Sequence, residues 1–493
     1  MKILIALLCT LTLSHAKLTV ASLFTDHMVL QRDLDVPVWG WAKPGNKVKV
    51  TFSGQTKTTK ANAQGEWRVN LAPMAASKNG KKFTISGENT LNFRDVVVGE
   101  VWICSGQSNM KFGVKQAPGV AEMIPAAGDI RSFSVPRTVA YTEQKHVNST
   151  WKKEVPDSAV AASFALFLEK NIDIPVGIIL SCWGSSSLEA WMPADLAGQL
   201  PDFKDQLDYQ KNDVAGRERI EKALTSKKRT MPDDIFMRRQ PNILWNAMIK
   251  PLAPYACRGL VWYQGERNAF NYNNLPKQPW YRRTIPVIRY GNALNLWMQR
   301  YRKEWQRDDL HFMIVMLPGY AKNVISKPQD PTKKSYAWMR EAQLTALDLP
   351  NTSVATTIDL GHLTNIHPND KLPVGERLAL LARRDTLGQD IIAEGPIIKN
   401  AAPSGNSIKL TFTHATGLTT TDGKAPHAFW VTDKTQKWHP ATAQIKGETI
   451  TLTCSEIKKP LYVRYAFSGF PEPNLINDQK LPARPFRTDT FKK

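Results

Sequence analysis

Four short polar turns, each bearing a glycine, carry the residues whose types suit acyl transfer. They are Cys104-Ser105-Gly106-Gln107-Ser108-Asn109-Met110, Ser181-Cys182-Trp183-Gly184-Ser185, Trp262-Tyr263-Gln264-Gly265-Glu266, and Asp359-Leu360-Gly361 leading to Ile366-His367-Pro368. Each follows an apolar run, and in open α/β sheets reactive groups collect just beyond the carboxyl ends of strands. Acyl transfer needs a nucleophile, a base for its proton, and donors where the oxyanion forms. Ser108 offers the hydroxyl and His367 the imidazole. The backbone N–H groups of Ser108 and Gly184 and the side-chain amide of Gln264 offer the donors. Glycine in such turns lets backbone approach a substrate with no side chain between. Asn109, Trp183 and Glu266, in the same turns, are candidates for contacting substrate. Taken singly, a Gly-Gln-Ser turn or a lone histidine is commonplace; the reading rests on their joint occurrence.

Other chemistries fit less well. The elbow G-x-S-x-G is not met, because Met110 stands at its second glycine, which disfavours the common α/β-hydrolase arrangement. His362 and His367 lie five apart without an H-E-x-x-H pattern or a carboxylate-rich loop, so no metal is expected. Cys104 and Cys182 sit at strand ends where packing alone would explain them. A carbohydrate-binding protein without turnover is the main rival, and the joint presence of Ser108, Gln264 and His367 speaks against it.

The elements that must position these turns read as an α/β layered core. Unbroken apolar runs at Val96–Cys104, Pro175–Ser181, Gly259–Tyr263, Phe312–Leu317 and Ser353–Asp359 predict parallel strands covered on both faces. Helical spacing separates them at Ala159–Lys170, Leu294–Trp305, Trp338–Leu347 and Val374–Arg383. Before the core, short alternating runs such as Val48-Lys49-Val50-Thr51-Phe52, broken by Pro44-Gly45 and Ser53-Gly54, predict a small antiparallel β-domain over residues 17–95. The core spans 96–385, and a second β-domain spans 386–493. A charged stretch at about 195–240 reads as a solvated helical insertion without assigned chemistry. An extra loop at about 271–290 carries Arg282 and Arg283, which suit a sugar bearing a carboxylate.

Residues 1–16 read as an export signal: Lys2, an apolar run from Ile3 to Leu13, then Ser14-His15-Ala16. An exported protein, periplasmic or extracellular, is expected, with no membrane span after its removal. Cys104, Cys182, Cys257 and Cys454 could then pair or remain buried thiols, and spacing does not choose. A formal charge of +21 favours acidic partners. Nucleic acid is not among them, since zinc-finger, helix-turn-helix and aromatic-basic patterns are missing; an anionic glycan suits an exported protein better.

Gly-Gln-Ser-Asn-Met, Cys-Trp-Gly with Glu189-Ala190-Trp191, Trp-Tyr-Gln-Gly-Glu and Ile-His-Pro occur in this order. With Trp245-Asn246-Ala247-Met248-Ile249, Arg340-Glu341-Ala342-Gln343, Val374-Gly375-Glu376-Arg377 and the closing Leu481-Pro482-Ala483-Arg484-Pro485-Phe486-Arg487-Thr488, they cover nearly the whole chain. The chain resembles the sialate O-acetylesterases of the SGNH hydrolase superfamily. The resemblance implies a three-layer α/β/α core with accessory β-sandwich-like domains, no cofactor, and an O-acetylated glycan, sialic acid above all, as substrate. It also implies Ser108 as nucleophile, His367 as base, and Gly184 and Gln264 as oxyanion donors. Two departures stand out. His362 and Asn365 occupy positions where relatives carry aspartates, so orienting His367 falls to Asp359, to Glu266 or to a neutral group, with a weaker enzyme as one consequence. Ser185 replaces a second glycine, where a positive φ would be strained.

Overall fold

The apolar run that ends at the first polar turn belongs to one long strand, β1 (Thr90–Gly106). In this computed structural model, which describes residues 17–226, 228–272 and 279–491, β1 is the centre of a mostly parallel sheet. Its companions are β2 (Ile130–Ser134), β3 (Val176–Cys182), β4 (Gly259–Tyr263), β5 (His311–Val315) and β6 (Thr352–Ala355). The order is β2-β3-β1-β4-β5-β6 with every neighbour parallel, and a short antiparallel strand, Trp151–Lys152, lies beyond β2. All residues of β4 and β5 are buried, which is why these strands read as unbroken apolar runs.

Four helices cover the sheet: α1 (Ala159–Ile172), α2 (Val287–Trp305), α3 (Tyr336–Leu344) and α4 (Leu372–Leu387). Strand register puts Trp102 of β1 and Trp262 of β4 on opposite faces. Phe164 of α1 meets Trp102 edge-on at 5.4 Å, and Trp297 of α2 packs on Trp262 at 4.6 Å. Helices therefore lie on both faces. α4 approaches α1 so closely that a Cβ on Gly375 would overlap Ser163 and the Phe164 backbone.

The expected division at residue 95/96 falls inside β1. Burial along that strand alternates up to Asp95 and is continuous from Val96. Its first half pairs antiparallel with Ser77–Ser86 of the amino-terminal β-region, and its second half enters the core. The change of pattern marks a change of surroundings rather than a break in the chain. The closing region forms two four-stranded sheets, and Ile408, Leu410, Ile450 and Leu452 of one share a buried core with Val431, Val463 and Tyr465 of the other. The charged insertion is helical, as its spacing predicts, at Pro201–Asn212, Val214–Thr225 and Met231–Met237. α2 starts at Val287, behind Pro286, so it takes up the end of the loop expected over 271–290. Residues 273–278 of that loop, and the leader at 1–16, lie outside the described residues. Among the described residues no helix is long and apolar enough to cross a membrane.

The four cysteines of the described chain are free. Burial pushes the Cys182 and Cys257 thiols up to about 12 and Cys104 up as well, leaving no thiolate for a cysteine mechanism.

Gly106, at φ +135°, closes β1 where a Cβ would overlap the Tyr263 carbonyl oxygen. Gly106→Ala should therefore destabilise the fold by about 3 kcal/mol or more in denaturant titration; a loss under ~1 kcal/mol would contradict this packing.

Candidate active site

Three of the four polar turns leave adjacent strands at one level. Gly106 of β1 pairs with Cys182 of β3 on one side and with Tyr263 of β4 on the other. The chain crosses to one side of β1 for β2 and β3 and to the other for β4, which makes this the switch point where open sheets form their crevice. Backbone bonds lock the level: Gln107 N–H donates to the Tyr263 carbonyl and Trp183 N–H to the Gly106 carbonyl, both at 3.0 Å. Ser108, half-buried, starts a single helical turn, Ser108–Lys111. Gly184 lies against it, since a Cβ on Gly184 would stand 3.3 Å from the Ser108 Cβ.

Asn109 brings in the fourth turn. Its fully buried carboxamide donates from Nδ2 to Glu266 Oε1 and, at 3.0 Å, to the Ile366 carbonyl. Its Oδ1 accepts from Lys371 Nζ at 2.6 Å. One side chain thus ties the Ser108 turn to the turn after β4, to the histidine loop and to the residue before α4. Within that loop, Asn365 holds the His367 backbone at both ends: Nδ2 donates to the His367 carbonyl, and Oδ1 accepts its N–H, each at 2.9 Å. His362 Nδ1 accepts the N–H groups of Thr364 and Asn365. His362 and Asn365 therefore both shape the loop.

Ser108, Gly184, Glu266 and His367 line a single cavity of about 480 Å³, with Lys111, Arg238, Arg239 and Arg267 also in its wall. Among the described residues, Ser108 Oγ and the His367 ring make no hydrogen bond, and the N–H groups of Ser108 and Gly184 donate to none. Contacts between nucleophile and base commonly tighten only with substrate in place. Burial and the charge of Lys371 hold His367 below its ordinary range, which favours the neutral imidazole. Glu266 is 1 % exposed, and its Oε2 has no partner. Burial pushes its carboxyl up to about 7, against the pull of the Asn109 bond and Lys371.

Several sequence expectations are corrected by this geometry. Gln264 is fully buried and is not part of the cavity wall. Its Nε2 donates to Asn268 Oδ1 (2.9 Å), Gln107 Oε1 (3.2 Å) and the Ser186 carbonyl (3.4 Å), and its Oε1 accepts from the Tyr290 hydroxyl (2.8 Å). Buried acceptors use its amide protons, so it braces the turn instead of facing an oxyanion. Asp359 gives both oxygens to Arg377 of α4, at 2.7 and 2.6 Å, and has no bond to His367. Asn109 and Trp183 are buried outside the cavity wall. Arg282 is exposed, its carbonyl accepting from Arg267 at 2.6 Å, and Arg283 lies over the Tyr209 ring at 5.1 Å; neither lines the cavity.

The cavity's cations come instead from the return of the helical insertion, Arg238 and Arg239, and from Arg267 beside Glu266. Arg238 pairs with Asp234 at 2.7 Å, whereas Arg239 and Arg267 make no salt bridge among the described residues. Arg239 donates to Ser185 Oγ (3.0 Å) and to the Ser185 carbonyl (3.3 Å). It thereby steadies a serine at φ +64°, the strained conformation that the missing glycine foreshadows. Burial lowers the Arg239 guanidinium to about 10, still charged at neutral pH. The paired arginines closing a charged stretch were the one available signal.

No family profile matches the chain. Human sialate O-acetylesterase is 28% identical over 515 residues, covering 94% of this chain and 91% of the relative, and the rat protein is 28% identical over 502 residues, covering 92% and 90%. A crystal structure of a carbohydrate acetylesterase from Xanthomonas citri is 32% identical, with a TM-score of 0.80 over 96% of this chain and all of that one. The chain belongs with the carbohydrate acetylesterases. As one of them it is an ester hydrolase.

In this family member the buried Glu266 makes stability depend on pH. Its folded pKa, about 7, lies above the ordinary 4.5. The folded state therefore binds more protons between those values, and stability falls as pH rises through the window. Glu266→Gln, which keeps an acceptor for Asn109, should remove this fall and gain about 2–3 kcal/mol on the wild type between pH 5 and pH 8 in denaturant titrations. Parallel pH curves for the two proteins would contradict the buried carboxyl.

Proposed function

We propose that the protein is an exported serine esterase that removes O-acetyl groups from carbohydrate, with O-acetylated sialic acid as its preferred substrate class. The observation that carries this reading is one cavity shared by Ser108, Gly184 and His367 and walled by Arg239 and Arg267, two cations that pair with no carboxylate among the described residues. Ser108 Oγ attacks the acetyl carbonyl while His367 takes its proton. The N–H groups of Ser108 and Gly184 receive the oxyanion. Collapse expels the sugar alkoxide, which takes the proton from His367, and leaves acetyl-Ser108. Water, deprotonated by His367, then releases acetate and restores the serine. The sugar's carboxylate meets the guanidinium charge in the cavity wall.

The bare His367 ring favours a second reading, a weakly catalytic carbohydrate-binding relative, because among the described residues no carboxylate bonds to the ring. Acetate release separates the two readings. Ser108→Ala should lower turnover by roughly 10⁴-fold or more with the fold intact, while undiminished acetate release would remove Ser108 from the chemistry. Arg239→Ala should raise KM about tenfold for an O-acetylated sialic acid and little for acetylated xylan. Equal losses on both would refute anionic selection and favour a neutral polysaccharide as substrate.

A further inference from the structure

Lys371 is the cation that the reaction scheme leaves unused. It is 1 % exposed, a rarity for lysine without a counterion, and it makes no salt bridge among the described residues. Its ammonium is held by Asn109 Oδ1 at 2.6 Å and lies over the rings of Phe112 (5.1 Å) and Tyr263 (5.5 Å), within cation–π reach of both. Glu266 lies on the far side of the same carboxamide, so Asn109 separates a buried cation from a buried carboxyl. Desolvation lowers Lys371 to about 8, opposed by Glu266 and Asp370.

This cation stands four residues after His367, at the entry to α4. The charged groups that face the imidazole across the cavity are Lys111 from the nucleophile turn, Glu266 and Arg267 from the turn after β4, and Arg238 and Arg239 from the insertion. Glu266 alone among them is acidic, and burial, with the charge of Lys371 added to it, disfavours the protonated ring.

We propose that Lys371 is a positioning residue, a buried cation that docks the base-bearing loop on the nucleophile turn through Asn109 and sets a positive charge on the same loop as the His367 imidazole. The proposal rests on Ser108 and His367 being nucleophile and base. It separates two contributions. The hydrogen bond to Asn109 sets where the base stands, and the charge sets the pH below which the base is lost.

Two substitutions divide them: Lys371→Gln keeps a donor for Asn109 without the charge, and Lys371→Arg keeps the charge in a different shape. The measurement is kcat/KM against pH for acetate release, together with NMR titration of the His367 ring in a Ser108→Ala background, which needs no turnover. Lys371→Gln should move the acidic limb and the ring titration to higher pH, so that activity one unit below the wild-type limb falls at least about threefold more than on the plateau. Lys371→Arg should leave the limb in place and lower the plateau alone. An unmoved limb and ring titration in Lys371→Gln would reduce Lys371 to a structural strut and overturn the proposal. Should Lys371→Gln fail to fold by its melting profile, Lys371→Met is read by the same NMR titration. His367→Ala with full turnover would sink the base assignment itself, an outcome distinct from failure at Lys371.

Discussion

Asn109 is the group on which the site depends. Its buried carboxamide uses both amide protons and its oxygen on partners from two other parts of the chain: Glu266 in the turn after β4, and the Ile366 carbonyl and Lys371 in the loop before α4. Buried amides are costly unless satisfied, so these three segments cannot drift independently without orphaning a polar group. The sheet brings the turns after β1, β3 and β4 to one level through strand register. The histidine loop comes from beyond β6 and has no such register to rely on. Asn109 supplies it, and His367 is thereby delivered to the cavity that holds Ser108.

The electrostatics of the cavity follow from that arrangement. Burial works against the charged form of every titratable group there, pushing Glu266 up and His367 and Lys371 down. Arg239 and Arg267 remain the permanent charges. The site is cationic and only partly enclosed by protein counterions, a setting in which an anionic sugar replaces solvent at low cost. The helical insertion is thus more than a solvated excursion, because its return supplies Arg238 and Arg239 to the cavity.

Much of the framework was legible in the residues. Strands buried on both faces read as unbroken apolar runs, and β4 over Gly259–Tyr263 begins and ends where its run does. The polar turns were legible for the same reason: a glycine-bearing interruption after such a run marks a strand end. What sequence could not convey was which side of a turn each donor faces. Gln264 lies in the right turn, yet its amide points into the protein toward Gln107 and Asn268. Asp359 was the nearest acid preceding His367, but Arg377, 18 residues on, binds both its oxygens. Lys371 and Asn109 lie 262 positions apart, and nothing local in either segment announces their bond. The boundary placed after Asp95 coincides with a change of burial along one strand, which passes through it.

The central claim is that these converging turns make Ser108 an activated nucleophile with His367 as its base. Labelling with a fluorophosphonate, followed by mass mapping of the modified peptide, tests it without assuming any substrate. A stoichiometric adduct on Ser108 that is lost in His367→Ala is the predicted result. An adduct on another serine, or labelling of Ser108 that is indifferent to His367, would contradict the account.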